Sequence, residues 1–386
     1  MRLFRILIIL LISFTAVMAL DENLLSWGLF NFFSDSEFSE EGLAKAEEFN
    51  PEKDILYLPP MGDKDLFESM RDLSIIRKKS VRKFLYIYLT NGREYVKRGI
   101  ERSFIHKEAV DRIFAENPDI PAELALLPLL ESGFNPLAVS RSKATGMWQF
   151  LNNTSRPLGL KTDGWIDERR DVEKSTRAAI RHLRSLYKVF KRWDLALAAY
   201  NGGGGCVSRA MAKSGARDIW RLHEKRALRD ETGEYVPRFI ALALIYNNQW
   251  LFDIKDEIER PEIEKMKVVS INYSIHLKHI AEISGIPADD IRTYNPELQK
   301  DMIPHMDNGY SLKIPAKAAD VLNSGVDKLE SYRLPVLKQY IVKAGDTIAA
   351  IARRHKKKTD VLIKSNGIKN PHALRPGIVL FIPVDK

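Results

Sequence analysis

The chain has 386 residues, 45% of them hydrophobic and 29% charged, and a formal net charge of +9. This composition is typical of a folded globular protein and excludes fibrous and low-complexity chains, and the length favours two or three domains. The positive charge favours an anionic partner, but no nucleic-acid-binding motif accompanies it, so we expect no nucleic-acid partner. The single cysteine, Cys206, excludes an internal disulfide.

The N-terminus has the pattern of an export signal. Arg2 and Arg5 precede an apolar run that ends in small residues near Ala19, and this run is short for a membrane-spanning helix. We therefore predict a signal peptide over 1–19, with an uncleaved membrane anchor as the alternative. The acidic and proline-interrupted stretch that follows, 20–65, is predicted to be a tether or wrapping arm.

A helical lead-in is predicted over 66–115, and the next stretch places an acid on an apolar face. Pro121 suits the first residue of a helix. Leu124, Leu127 and Glu131 follow at i, i+3 and i+7, so they share one face. Burial disfavours the charged carboxylate and raises its pKa, so Glu131 could donate a proton near neutral pH. The alternative is a structural glutamate at a helix end.

Further helices are predicted to follow a polar loop at 163–171. The apolar spacing indicates helices over 172–190, around 195–200 and over 236–250. Four glycines at 202–205 predict a loop after the second of these helices. This loop is not a phosphate-binding loop, because no Lys-Ser/Thr pair follows it and no strand precedes it.

The sequence pattern changes near residue 266, and the same order of predicted strands and helices then occurs twice. The first copy, 266–316, is predicted to consist of a strand, two short helices and a closing strand. After a predicted linker at 317–338, the second copy, 339–384, repeats this order, with Gly345-Asp346-Thr347 capping its first helix. An internal repeat indicates two small βααβ modules rather than one domain.

Five motifs occur in order along the central region: Glu131-Ser132-x-Phe134-Asn135-Pro136, Gly146-Met147-Trp148-Gln149-Phe150, Asp167-Glu168-Arg169-Arg170-Asp171, Ala199-Tyr200-Asn201 and Glu231-Thr232-x-x-Tyr235-Val236-Pro237. Together they resemble those of the family 1 lytic transglycosylases of bacterial cell walls, in particular the membrane-bound lytic murein transglycosylase D type. The 339–384 unit resembles a LysM module, and the 266–316 unit is similar but degenerate, because it lacks the Gly-Asp-Thr turn.

The resemblance implies a mainly α fold, with a lysozyme-like (goose-type/SLT) helical catalytic domain over 116–255 and two LysM-type modules. It also implies a peptidoglycan lytic transglycosylase, which cleaves the MurNAc-β-1,4-GlcNAc bond without water and leaves 1,6-anhydro-MurNAc ends. Ordinary glycosidases need two carboxylates. Here Glu131 would suffice as the single general acid and base, because the substrate's own 6-hydroxyl supplies the nucleophile at high effective concentration.

The resemblance also suggests roles for neighbouring residues. Glu231 is expected to be structural and paired with a basic group, and 167–171 to be a loop-fixing charge network. Substrate binding is expected of Ser132, Met147, Gln149, Tyr200, Asn201 and Tyr235, and glycan binding in the LysM module of Gly345, Asp346, Thr347 and Asn366.

The expected partner is the peptidoglycan glycan strand, and we expect a monomer with no cofactor and no metal. The predicted location is the periplasm or cell envelope, with membrane association if the signal remains attached. Two alternatives stay open at this point: a lysozyme-type muramidase, and a non-catalytic peptidoglycan-binding or scaffolding protein. Product mass separates the first alternative from a transglycosylase, because hydrolysis adds water.

Overall fold

The structure is a computed structural model that describes residues 78–250, 252–366, 368, 370, 371 and 374–384. The predicted signal peptide, the arm and the first part of the lead-in lie outside these residues. Among the described residues the chain forms two compact units. We call 78–160 with 172–262 the helical unit, and 161–171 with 263–384 the C-terminal unit.

The helical unit is built from α-helices joined by short loops and two 3₁₀ turns, Ala122–Leu126 and Lys255–Glu257. The predicted fold class, mainly α, is confirmed. The helices are α1 (Lys79–Leu89), α2 (Arg93–Ala115), α3 (Leu127–Ser132), α4 (Asn152–Ser155), α5 (Val172–Phe190), α6 (Trp193–Gly202), α7 (Gly204–Ser214), α8 (Ile219–Glu224) and α9 (Asp230–Asn247).

Helix α2 packs closely on the short helix α3 that carries Glu131. A Cβ atom placed on Gly99 of α2 would lie 2.5 Å from Leu129 Cδ1 and 3.3 Å from Gly133 Cα. Glycine at position 99 therefore permits the two helices to approach at this crossing. The described part of the predicted lead-in thus packs against the helix that carries Glu131.

The single helix predicted from Pro121 onward is wrong. Pro121 instead precedes the 3₁₀ turn Ala122–Leu126, and α3 then begins at Leu127 with a proline in its first turn. The predicted burial is nevertheless correct, because Leu124 and Leu127 are fully buried. The change from 3₁₀ to α alters the helical phase before α3 and leaves only one α-helical turn before Glu131.

The C-terminal unit contains both small modules. In the first module β1 pairs antiparallel with β4 and β2 pairs with β3, and in the second β5 pairs with β6. The elements are β1 (Met266–Ile271), β2 (Ile275–His276), α10 (Leu277–Ser284), α11 (Ala288–Tyr294), β3 (Met302–Ile303), β4 (Tyr310–Pro315), α12 (Ala316–Ser324), α13 (Val326–Ser331), β5 (Leu337–Ile341), α14 (Ile348–Arg354), α15 (Thr359–Asn366) and β6 (Val379–Pro383).

The predicted linker at 317–338 is wrong for most of its length. Helices α12 and α13 occupy this stretch, and Ala319, Leu322 and Leu329 are buried in the core of the first module. The alanines and the single leucine of α12 give little hydrophobic contrast, which is why the pattern resembled a linker. The first module is therefore larger than the repeat comparison indicated.

The polar loop 161–171 is part of the C-terminal unit, although the chain on both sides of it belongs to the helical unit. The ring centroids of Trp165 and of Phe381 in β6 are 3.6 Å apart. The backbone N–H of Asp167 donates to the Glu297 carbonyl at 2.9 Å. The loop thus contacts both small modules at once, which the prediction of a catalytic domain over 116–255 did not anticipate.

A charged network fixes the end of this loop. Lys313 Nζ lies 2.8 Å from Asp171 Oδ2 and 3.9 Å from Glu297 Oε1, and both acidic residues are buried. Burial raises the pKa of Glu297, and the nearby Lys313 opposes this rise. Lys313 thus compensates two buried carboxyl groups that would otherwise be costly to keep charged.

We expect Lys313→Met to lower the free energy of unfolding by about 2 kcal/mol, less than for a fully buried pair because the lysine is partly exposed. The physical reason is the loss of the cation beside Asp171 and Glu297. Chemical denaturation measures the change. Lys317→Met is the control, because Lys317 lies exposed on α12. Equal stability of the two variants would contradict the prediction.

Within the described ranges, no helix is both long and apolar enough to cross a bilayer.

Candidate active site

Glu131 lies in the last turn of α3, where the helix ends at Gly133 in the left-handed conformation, with φ 59°. Glycine adopts this conformation without strain, so the helix can stop immediately after the acid. The side chain is partly buried, and Tyr235 of α9 donates a hydrogen bond from its hydroxyl to Glu131 Oε1. Residues 104 positions apart thus meet at one carboxyl group.

The surroundings of the Glu131 carboxyl raise its pKa towards neutral pH. Burial raises the pKa of Glu131 to about 7; the hydrogen bond from Tyr235 opposes this rise, and the negative charge of Glu231 adds to it. A group with this pKa is protonated in a large fraction of molecules at pH values near 7 and can also accept a proton. The sequence predicted that burial raises the pKa of Glu131, and the structure agrees with this prediction.

Tyrosine hydroxyls surround the acid. Tyr200 donates to the Trp148 carbonyl at 2.9 Å, and Tyr95 donates to the Leu129 carbonyl at 2.7 Å. Burial, and then the charge of Glu131, raise the pKa of Tyr200 and Tyr235 well above their ordinary values. These phenols therefore remain protonated and act as hydrogen-bond donors.

Ser132 and Met147 are both buried, and they contact each other. The Ser132 hydroxyl donates to the Met147 carbonyl at 2.9 Å and accepts from the Asn135 N–H at 3.1 Å. These bonds hold the loop containing Met147 against the end of α3. The hydroxyl thus has internal partners, and its predicted contact with substrate remains a prediction.

Gln149 adopts a left-handed backbone conformation, with φ 48°. Its Nε2 donates to the Gly146 carbonyl at 2.7 Å and to the Ala138 carbonyl at 3.3 Å. Its Oε1 is buried without a hydrogen-bond partner. A positive φ at a residue other than glycine is strained, so surrounding contacts must stabilise this turn. The predicted substrate contact of Gln149 stays a prediction, and Oε1 is the acceptor it would use.

Asn201 is bound within the protein. Its Oδ1 accepts a hydrogen bond from the Thr232 hydroxyl at 2.9 Å, which joins the end of α6 to the start of α9. The predicted four-glycine loop beside it is wrong: Gly202 ends α6, Gly204 begins α7, and only Gly203 lies between them. Gly203 has φ 83°, so it makes the turn that separates the two helices.

We expect Gly202→Ala to lower the free energy of unfolding by about 1–3 kcal/mol through overpacking. Its Cβ would lie 2.6 Å from Thr232 Oγ1, so Thr232 would have to move away from Asn201. Thermal melting measures the change. Gly204→Ala is the matched control, because the nearest atom to its Cβ is 3.7 Å away. Similar melting temperatures for the two variants would count against the proposed packing.

The prediction that Glu231 pairs with a basic group was wrong. Glu231 is exposed, and among the described residues it forms no ion pair with a basic group. It acts instead on Glu131, whose pKa its negative charge raises. The loop-fixing charge network at 167–171 is present: Arg169 lies 2.7 Å from Asp167, and both side chains are buried.

The predicted residues of the LysM module have mainly internal partners. Asp346 Oδ2 accepts from the Lys343 N–H at 2.8 Å and from the Tyr340 hydroxyl at 2.7 Å. Thr347 caps α14 as predicted, by accepting from the Ala350 N–H at 3.1 Å. These contacts organise the turn after β5.

Asn366 and Gly345 complete this picture. The Asn366 amide donates to the Phe381 carbonyl at 2.9 Å and accepts from its N–H, so this side chain ties α15 to β6. Gly345 is exposed and has φ 82°, and a Cβ atom placed on it would have no neighbour within 4 Å. Asp346 and Asn366 therefore stabilise the module, and glycan binding by the four residues remains a prediction.

Sequence reasoning missed the site roles of three residues. Tyr95 holds the carbonyls of α3, Thr232 binds Asn201, and the ring of His182 lies 5.2 Å from that of Tyr200. Burial lowers the pKa of His182, which keeps the imidazole neutral beside the tyrosine. Thr232 belongs to a recognised motif and could have been identified, whereas Tyr95 and His182 lie in amphipathic helices without a distinguishing local pattern.

The fold and site define a class: a helical domain with a partly buried carboxyl group beside three tyrosines, in a chain that also carries two small modules of paired strands and short helices. Sequence profiles give the family of each part. The transglycosylase SLT domain matches residues 114–223, the LysM-like domain of the lytic transglycosylase MltD matches 265–331, and the LysM domain matches 340–383. The chain therefore carries a transglycosylase SLT domain followed by two LysM-type domains.

The chain is homologous to the membrane-bound lytic murein transglycosylase D of Escherichia coli K12, with 32% identity over 279 residues. This alignment covers 68% of the chain and 60% of that protein, so the chain spans about 60% of the length of its curated relative. A putative tributyltin chloride resistance protein of Alteromonas is 42% identical over 98 residues, which are 25% of the chain and 47% of that protein.

Among solved structures, the 70 kDa soluble lytic transglycosylase of Escherichia coli aligns with a TM-score of 0.36 and 16% identity, over 54% of this chain and 42% of that one.

Proposed function

We propose that the protein is a peptidoglycan lytic transglycosylase that cleaves the MurNAc-β-1,4-GlcNAc bond and leaves 1,6-anhydro-MurNAc ends. The observation that carries the proposal is the carboxyl group of Glu131, partly buried, hydrogen-bonded by Tyr235 and with a pKa of about 7. The SLT and LysM domains of the chain support the same substrate class.

The reaction would use one carboxyl group twice, first as an acid and then as a base. Protonated Glu131 donates to the glycosidic oxygen as the bond from that oxygen to the muramyl anomeric carbon breaks. The muramyl 6-hydroxyl oxygen then bonds to the anomeric carbon, and the Glu131 carboxylate accepts the hydroxyl proton. Glu131 ends protonated, as it began, and no water is consumed. A pKa near 7 suits both halves of this cycle, because neither protonation state is strongly favoured.

The tyrosines would orient this acid. Tyr235 donates to the carboxyl oxygen directly, and Tyr95 and Tyr200 fix the carbonyls of the chain segments on either side. A fixed carboxyl geometry favours proton transfer because the donor need not reorganise during the reaction. Ser132 and Gln149 would act through the loop that they hold, which carries Met147 and Trp148.

We propose that the enzyme acts in the periplasm or cell envelope, where its polymer lies, and that it is associated with the membrane, as the name of the Escherichia coli relative states for that protein. The LysM module would raise the local concentration of the catalytic domain on the strand, since linked sites bind with an effective concentration set by their tether. No cofactor is required by this mechanism.

A lysozyme-type muramidase is the second candidate, and Glu231 is the observation that favours it. This second carboxylate is near enough to raise the pKa of Glu131, and a hydrolase needs such a partner to activate water or stabilise the cation. In the transglycosylase, Glu231 would only tune the acid. Glu231→Gln should then retain anhydro products, with the pH profile of cleavage shifted to lower pH.

Mass spectrometry of the products from purified peptidoglycan tests the proposal. Anhydro-muramyl ends are expected, and muramyl ends heavier by one water would identify the hydrolase instead. Intact strands after incubation, together with tight binding, would identify a non-catalytic binding protein.

A further inference from the structure

The two LysM-type domains carry very different charges. The C-terminal one, 339–384, contains nine Lys and Arg residues against two Asp and no Glu, a net charge of +7. The preceding one, 265–331, contains eight basic and nine acidic residues, a net charge of −1. Since the whole chain carries +9, most of its excess positive charge is concentrated in one small domain. Such a concentration creates a local positive potential.

The charge is densest at the end of α14 and in the turn that joins it to α15, at 353–358. Arg353, Lys356 and Lys358, which we call the basic turn, are exposed, and no ion pair joins them to another described residue. Their neighbour Arg354 differs, because it lies 3.3 Å from Asp346 and belongs to the internal network of the domain. The basic turn therefore has no structural partner that explains its charge.

The surroundings of the basic turn indicate the kind of partner. The apolar side chains beside it, Ile351 and Leu362, are fully buried. The exposed apolar residues of the domain, Ile341, Ile378 and Val384, lie on β5 or next to β6. A membrane-binding surface normally presents apolar side chains together with its cations. The turn thus favours a water-soluble anionic polymer over a lipid surface.

Base stacking is also disfavoured at this turn. Tyr340, whose ring lies 5.3 Å from that of His355, is partly buried, and its hydroxyl is bonded to Asp346. Single-stranded nucleic acids bind where exposed aromatic rings accompany basic side chains. A partner with dispersed carboxylates needs no such ring.

We propose that the basic turn binds the carboxylates of the peptide stems of peptidoglycan. The proposal deepens the proposed function and rests on it for the identity of the polymer. The stems carry free carboxylates, so exposed lysine and arginine side chains distinguish stem-bearing strands from strands whose stems have been removed. Attraction between exposed charges is screened by salt, so this part of the binding should be salt-sensitive.

Sedimentation with insoluble peptidoglycan tests the proposal, using the full chain with Glu131→Gln in every sample so that the polymer stays intact. Arg353→Gln/Lys356→Gln/Lys358→Gln removes the basic turn. Lys300→Gln/Lys317→Gln/Lys328→Gln is the matched control, because these lysines of the other LysM-type domain are also exposed without ion pairs to described residues. Both triple variants lose the same net charge.

We expect the basic-turn variant to bind stem-bearing peptidoglycan about tenfold more weakly at low salt, the sum expected of three exposed charge contacts. The control variant should lose much less. On peptidoglycan stripped of stems by an amidase, the basic-turn variant and its parent should bind equally. The difference on stem-bearing material should also shrink as salt shortens the screening length to about 4 Å.

A single substitution separates binding from folding. Lys356 has φ 54°, a left-handed conformation that glycine adopts without strain. Lys356→Gly should therefore keep or raise the melting temperature while it weakens binding to stem-bearing strands. A purely structural role for Lys356 predicts that both quantities fall.

Several results would overturn the proposal: equal binding of the basic-turn variant and its parent, an equal loss in the control, or a loss that persists on stem-free strands. Stronger binding to vesicles that contain phosphatidylglycerol than to peptidoglycan would assign the turn to lipid instead. Failure of the proposed function is read separately, from the absence of anhydro ends in digests by the unmodified protein.

Discussion

Glu131→Gln is expected to reduce peptidoglycan cleavage by at least about a thousandfold, within the range for loss of an essential general acid. The amide keeps the size and shape of the carboxyl group but has no titratable proton. In the proposed cycle the carboxyl proton passes to the glycosidic oxygen and stays on the leaving sugar, and the carboxylate then accepts a different proton from the 6-hydroxyl, so the substitution removes both half-reactions. Quantification of anhydro-muramyl ends by mass spectrometry measures the loss. Retained turnover would contradict the mechanism.

The same variant should be more stable than the unmodified protein at alkaline pH. The pKa of Glu131 is raised by burial to about 7 in the folded protein, above the ordinary value of a glutamate in an unfolded chain. Its contribution to stability is therefore complete at low pH and is lost as the pH rises through about 7. Glutamine has no such dependence. Thermal melts at about pH 5 and about pH 8 should show an advantage for Glu131→Gln that grows with pH.

This melting comparison is also the control for the activity loss. A variant that is inactive but at least as stable as its parent has lost chemistry and not its fold. A lower melting temperature at every pH would indicate that the carboxylate supports the fold, and the environment assigned to Glu131 would then be wrong.

Local patterns were sufficient for the features that depend on near neighbours in the chain. The spacing of Leu124, Leu127 and Glu131 predicted an acid against a buried apolar surface, and both leucines are fully buried. The Gly-Asp-Thr turn predicted the cap that Thr347 forms at α14. Each feature involves residues within a few positions of one another, so periodicity and capping preferences describe it.

Features that depend on distant contacts could not be predicted in this way. Trp165 lies in a polar loop, and nothing near it in sequence indicates that its ring packs on Phe381. The hydrogen bond from Tyr95 to the Leu129 carbonyl likewise joins positions 34 residues apart. The predicted ion pair of Glu231 was wrong for the same reason, because tertiary structure decides whether a carboxylate lies beside a cation or beside another acid.

Tyr235→Phe is expected to slow cleavage by about 10- to 100-fold, the loss expected for a hydrogen bond to a charged group. The substitution removes the hydroxyl that donates to Glu131 Oε1 and leaves the ring, which is only 2% exposed, in place. Without this donor the carboxyl group is less well oriented. Its charged form is also less stable, so the pKa of Glu131 should rise further above its ordinary value.

The pH profile distinguishes this role from a structural one. Cleavage starts from protonated Glu131, so the rate should fall as the pH rises through the pKa of that group. In Tyr235→Phe this fall should occur at higher pH than in the unmodified enzyme. Tyr200→Phe is the matched comparison: its hydroxyl donates to the Trp148 carbonyl and not to Glu131, so its rate should fall with the pH dependence of the fall nearly unchanged. A profile for Tyr235→Phe that stays in place or moves to lower pH would show that this tyrosine does not tune the acid, because removing a donor to a carboxylate can only favour the protonated form.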